Sequence, residues 1–130
     1  MATTYKSRRS NGVAPALLGR PNGVIQPRVQ EAGPQRFGVV AVDCAKARSK
    51  WMLCDFYGRV LVPPTVVEHQ RAALQLATIQ LRDACERHGL LDHIVAVEMT
   101  GTYHRPVQRA FRRAGSETRL VHPFASHHYR

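Results

Sequence analysis

Two short apolar runs, each ending in an acid, constrain this chain more than any other feature. Phe37-Gly-Val-Val-Ala-Val-Asp43 and His93-Ile-Val-Ala-Val-Glu98 are nearly continuous in hydrophobicity. Runs of that kind belong to central strands covered on both faces, not to half-solvated strands that alternate. Between them, Glu68 to His88 contains no Gly or Pro. Leu74, Ala77, Leu81, Ala84 and Cys85 recur there at three- and four-residue spacing, the mark of an amphipathic helix. A strand, a helix and a second buried strand predict parallel neighbours in an α/β sheet.

The remaining elements fill in around that unit. Ser49 to Asp55 predicts a second strand, Tyr57-Gly58 a tight turn, and Arg59 to Val62 a third strand, so these neighbours are antiparallel. Pro63 and Pro64 end the third strand or place it at an edge. Pro106 fits the first turn of a second helix with Val107, Ala110, Phe111 and Ala114 on its apolar face, and Gly115 stops it. Glu117 to Val121 is a fifth strand. The predicted order is β-β-β-α-β-α-β, a mixed α/β sheet.

Residues 1–36 differ in kind. They carry Pro15, Pro21, Pro27 and Pro34, glycines at 12, 19, 23 and 33, and no sustained period. They predict a basic, disordered arm, either a solvated tail or a non-specific phosphate-binding segment. With 130 residues the chain has room for one domain, here 37–130. The net charge of +10 is shared evenly: six Lys/Arg against Glu31 in residues 1–36, and thirteen Lys/Arg against eight acids in the rest. That excess favours an anionic polymer as partner, and nucleic acid is the common one. No apolar stretch is long enough for a membrane span and nothing reads as a secretory signal, so no membrane partner and a cytoplasmic location are expected. Cys44, Cys54 and Cys85 are odd in number and not spaced as a zinc pair; they are expected to be reduced core thiols.

The chemistry concentrates at Asp43 and Glu98. If their strands are parallel neighbours, both carboxylates emerge at one sheet edge, with strands about 4.8 Å apart. Two like charges that close are costly unless a proton or a metal neutralises them, and a hard cation such as Mg²⁺ needs only one or two carboxylates. The competing reading is that acids end strands because they cap the following turn. Arg105, Arg109, Arg112 and Arg113 recur on one face of the second helix, either as a solvated face or as a stripe for nucleic-acid phosphates. Lys46 follows Asp43 closely enough to contact a phosphate beside the pair. His104 is a polar residue at a helix start, Trp51 a core residue, and the His127-His128 pair lacks a third ligand.

These residues bear a family resemblance. Gly38-Val-Val-Ala-Val-Asp43 with Lys46 three residues on is similar to the opening motif of the insertion sequence 110 family of transposases, which also includes Piv-type DNA invertases. Val97-Glu98-Met-Thr-Gly-Thr-Tyr103 resembles its second motif, and Leu120-Val-His-Pro123 the strand-and-proline segment that follows. The resemblance spans 37 to about 130. It implies a ribonuclease-H-like, RuvC-like fold and a DEDD set of four acids holding Mg²⁺ or Mn²⁺, of which Asp43 would be the first and Glu98 the second. It also implies DNA recombination or transposition as the activity, with DNA and, in some members, a guide RNA as partners; a second copy of the chain is a further candidate partner on other grounds, given below.

The chain departs from that pattern in three places. After Glu98 only Glu117 remains as an acid, and it falls at the wrong end of its strand. The third and fourth acids and the later domain with a nucleophilic Ser are absent, and His122 stands where an amide is usual. The expectation is a truncated chain: either the front of a recombinase or a remnant that binds nucleic acid or a partner without catalysis, inactive as a nuclease by itself. An actin-like phosphotransferase, which shares the opening strand and acid, would want a Gly-rich hairpin after Asp43, where Cys44-Ala-Lys-Ala-Arg48 has no glycine. A sheet lacking its last helix is expected to leave one face partly uncovered, with a tendency to associate.

Overall fold

The computed structural model describes residues 25–99 and 101–122. In chain order the elements are helix α1 (Ile25–Ala32), a 3-10 turn (Pro34–Arg36), strands β1 (Phe37–Cys44), β2 (Arg48–Asp55) and β3 (Val60–Glu68), helix α2 (Arg71–Arg87), strand β4 (Asp92–Glu98), helix α3 (His104–Arg113) and strand β5 (Thr118–Val121). The strands form one mixed sheet in the order β3-β2-β1-β4-β5. β1 pairs antiparallel with β2 and parallel with β4, and β4 pairs parallel with β5. The fold is α/β, and the five strands and two long helices follow the order that the sequence predicts.

Strand alternation sorts β1 onto two faces. Val40, Val42 and Cys44 join Trp51, Leu53, Val95 and Val97 in the main core, under α2 through Leu74, Ala77, Leu81 and Ala84 and under α3 through Val107 and Phe111. Phe37 points the other way. It forms a smaller cluster with Ile94 and with Val29 and Ala32 of α1, and Val39 packs against that cluster. The second face is therefore covered by α1 at the end where β1 begins. Towards the end where β1 stops, Ala41 and Asp43 are exposed and Met52, Ala96, Glu98 and Val121 are half-buried. None of the described residues covers this patch.

Two local features differ from the sequence reading. The arm predicted over 1–36 is not all arm: Ile25–Ala32 is a helix, and Arg28, Val29 and Ala32 are buried. Pro27 sits in its first turn, where its missing N–H costs nothing. Gly33 ends it at φ 92°, a conformation that a side chain resists, and its N–H donates to the Val29 carbonyl at 2.8 Å. Residues 1–24 lie outside the described set.

β3 also runs on through Pro63 and Pro64 to Glu68 instead of stopping at Val62, so the long helix begins at Arg71 and not at Glu68. A proline removes one ladder donor, which an edge strand can lose on its open side. β3 is that edge, and its register with β2 slips around Leu53.

At Gly38 the sheet is tight for a different reason. A Cβ there would lie 2.8 Å from Leu90 Cδ1, 3.1 Å from Leu53 Cδ1 and 3.2 Å from His93 Cβ. The hairpin between β2 and β3 turns on buried Asp55, whose Oδ1 accepts hydrogen bonds from the Tyr57 and Arg59 N–H groups, each at 2.9 Å.

Candidate functional site

Asp43 and Glu98 end neighbouring parallel strands. The register pairs Ala41 with Ala96 and Val42 with Val97, and one further step sets Asp43 beside Glu98. Asp43 shares a face with Ala41, and Glu98 shares the same face with Ile94 and Ala96, so the two carboxylates stand together on the open side of the sheet. They line one cleft of about 350 Å³ with Lys50, Met52, Pro64 and Val121. Neither carboxylate makes a side-chain hydrogen bond or an ion pair within the described residues.

Lys50 is the cation that the sequence reading did not single out. It is the cross-strand partner of Asp43 in the antiparallel pair and lines the same cleft. A signal for it existed: β1 and β2 are joined by the tight connection 45–47, and counting outward from that turn brings residue 50 opposite residue 43. Lys46, which the sequence reading favoured, lies in the turn itself and is exposed, but does not line the cleft.

Directly behind the pair, Cys44 points into the main core. Burial pushes its thiol pKa up, a hydrogen bond from Ser49 opposes this, and the negative charges of Asp43 and Glu98 add to it. Cys44 is thus held as a neutral thiol, and the three cysteines are free, as expected. Ser49 in turn bonds His69 Nε2 at 2.7 Å. No group of three or more His, Cys, Asp or Glu side chains able to hold a metal occurs among the described residues. A cation in this cleft would have Asp43 and Glu98 as its protein ligands there, with water filling the rest of its shell. Magnesium commonly accepts that arrangement.

The four arginines of α3 divide. Arg112 Nε donates to Thr118 Oγ1 at 3.0 Å and is tied to β5. Arg105 is exposed near the helix start. Arg109 and Arg113 line a cleft against α2, on the far side of the sheet from the carboxylates. His104, the first residue of α3, is buried, with Nδ1 lacking a partner. Trp51 is a core residue at 1% exposure, as its alternation predicts. Thr100 and the His127-His128 pair are outside the described residues.

Glu117 is remote from the pair. It lies just before β5, at the opposite end of the sheet, and is engaged by Arg28 at 2.7 Å and by Arg119. Arg28 also binds Asp92 with two hydrogen bonds of 2.9 and 2.8 Å. These buried groups lock α1 onto the starts of β4 and β5, so Arg28 is no part of a free basic arm.

No family model and no curated protein matches this sequence. Among solved structures, a Bacteroides thetaiotaomicron protein of unknown function with an actin-like ATPase fold is similar over 75% of this chain, at a TM-score of 0.46 and 7% identity. This chain spans 37% of that protein's length. What the site can do therefore follows from its own residues.

Proposed function

We propose that the chain supplies the first two carboxylates of a ribonuclease-H-like, metal-dependent DNA transposase or recombinase, of the kind that its motifs resemble. The observation that supports this is the juxtaposition of Asp43 and Glu98: adjacent parallel strands, matching C-terminal ends, one face, one open cleft. Ligand sites in open α/β sheets favour that edge. Two like charges side by side are unfavourable unless a proton or a cation neutralises them.

A bound Mg²⁺ or Mn²⁺ would polarise phosphate oxygens and help generate the attacking nucleophile. Asp43 and Glu98 would hold and orient it. Lys50, across the strand from Asp43, adds positive charge that favours an incoming phosphodiester and limits repulsion within the pair. A two-metal site needs more ligands than this pair. In the family resembled, they follow later in sequence than Glu98. The alternative reading is a module with this fold that binds DNA, a guide RNA or a second copy of the chain without catalysis.

Divalent-cation titration of thermal stability tests the metal reading. Mn²⁺ is expected to raise the melting temperature of the wild-type chain, because a ligand that binds only the folded state stabilises it. The Asp43→Asn/Glu98→Gln variant is expected to lose that increment. An equal rise in both would remove the basis for the proposal. The purified chain is also expected not to nick supercoiled DNA with Mn²⁺. Nicking that disappears in Asp43→Asn would show instead that the pair forms a complete site.

A further inference from the structure

The described residues contain a second place where charge collects, on the opposite side of the sheet. α2 and α3 pack side by side over the face carrying Val40 and Val42. Between them runs a cleft of about 420 Å³ lined by His69 and Arg71 at the start of α2 and by Arg109 and Arg113 of α3, with Gln75 and Thr78 along its wall. Arg71, Arg109 and Arg113 are exposed, and no acidic side chain lines the cleft. α3 has no acid in its ten residues, and α2 has none before Asp83.

The charge is extended. Arg105, Arg109 and Arg113 repeat every four residues, a ridge about 12 Å long at 1.5 Å per residue. A single small anion would engage one end of such a ridge, whereas a polymer with regularly spaced charges can engage all of it. Successive arginines are about 6 Å apart along the axis, so a polymer with closely and regularly spaced phosphates can meet each of them. Guanidinium groups also suit phosphate, since each offers a planar fork of donors.

We infer that the α2–α3 groove is a nucleic-acid backbone site, with Arg71 on one wall and Arg109 and Arg113 on the other, and Arg105 one helical turn before them. Because the sheet separates it from Asp43 and Glu98, the segment held here is not the phosphodiester presented to the carboxylates. It is a second strand or duplex region, read through its phosphates and without base specificity. The inference does not depend on metal binding at the carboxylate pair.

The test is fluorescence anisotropy of the full chain with a labelled DNA duplex in EDTA, across a series of salt concentrations. Duplex contacts contribute about 0.9 each to the slope of log K against log salt. The Arg71→Ala/Arg109→Ala/Arg113→Ala variant is expected to flatten the slope by about 2 to 3 and to weaken binding at least tenfold at moderate salt. Arg59→Ala/Arg82→Ala/Arg87→Ala carries the same change in net charge on exposed positions elsewhere, and is expected to shift the slope by less than about 1. Arg71→Lys/Arg109→Lys/Arg113→Lys keeps the charge and is expected to retain the slope, and an unchanged circular-dichroism melt of the alanine triple excludes loss of fold as the cause. Equal effects of the groove and control triples would overturn the inference. So would binding of polyglutamate as tight as that of DNA, which would make the groove an acidic-protein site. The measurement is made in EDTA, where no metal occupies the carboxylate pair, so failure of the metal reading and failure of this one are separable.

Discussion

Arg28 joins three segments through one guanidinium: it bonds Asp92 twice and Glu117 once, with side-chain exposures of 7%, 2% and 12%, and lies 5.7 Å from the centre of the Phe37 ring. Removing one partner of a buried pair leaves the other as an uncompensated charge. Arg28→Met is expected to cost about 3–5 kcal/mol in urea unfolding. Gly38→Ala is expected to cost about 1–3 kcal/mol, because the contact at 2.8 Å forces Leu90 to move while Leu53 and His93 also crowd the site. Cys85 adds a pH dependence. Burial first, and then the charge of Glu86, pushes its thiol pKa up to about 12 from an ordinary value near 9. The folded state therefore keeps a proton that the unfolded chain loses, so stability from this group is present below about pH 9 and falls as pH rises towards 12. Cys85→Ala is expected to flatten that fall in a series of unfolding curves; an unchanged fall would assign it to other groups.

At the scale of elements, α1 belongs to the domain. A chain starting at residue 25 keeps the Arg28 bonds and the cover over Phe37 and Ile94. One starting at residue 37 loses the Arg28 bonds and uncovers Phe37 and Ile94, and is expected to melt far lower or without a clear transition by circular dichroism. Equal stability of the two would restore the reading of 1–36 as an arm. That reading missed α1 because Pro27, Gly33 and Pro34 resemble loop composition. Yet Pro in a first turn and Gly after the last are helix boundaries, and Ile25, Val29 and Ala32 lie on one face. The two strands were legible from their continuous apolar runs, and the position of each terminal acid followed directly; both faces are covered only where the strands begin, and from Ala41 on one face of β1 is open. β3 was cut short because a proline pair stops an interior strand but not an edge one. Lys50 was not legible without the turn that sets the register between β1 and β2. The split among the α3 arginines depended on which neighbour, β5 or α2, each one meets, and periodicity within a helix carries no such information.

Across the whole molecule, the sheet divides the surface in two. One side carries Asp43 and Glu98 on an open, partly apolar face. The other carries the arginine groove between α2 and α3. No helix among the described residues is long and apolar enough to cross a membrane. The open face beside the carboxylates, with Ala41 and Pro64 exposed, is expected to promote association, visible as concentration-dependent sedimentation; a single monomeric species across the range would contradict this. Removing one of two adjacent like charges should relieve repulsion, so Asp43→Asn is expected to raise the melting temperature in EDTA while abolishing the response to Mn²⁺. The central claim is that these two carboxylates form one cation site, and paramagnetic broadening reads it most directly. Mn²⁺ added to isotopically labelled chain should broaden amide signals around residues 41–43, 50–52 and 96–98, and the Asp43→Asn/Glu98→Gln variant should lose that pattern. Broadening centred elsewhere, or unchanged in the variant, would mean that Asp43 and Glu98 end their strands without holding a metal.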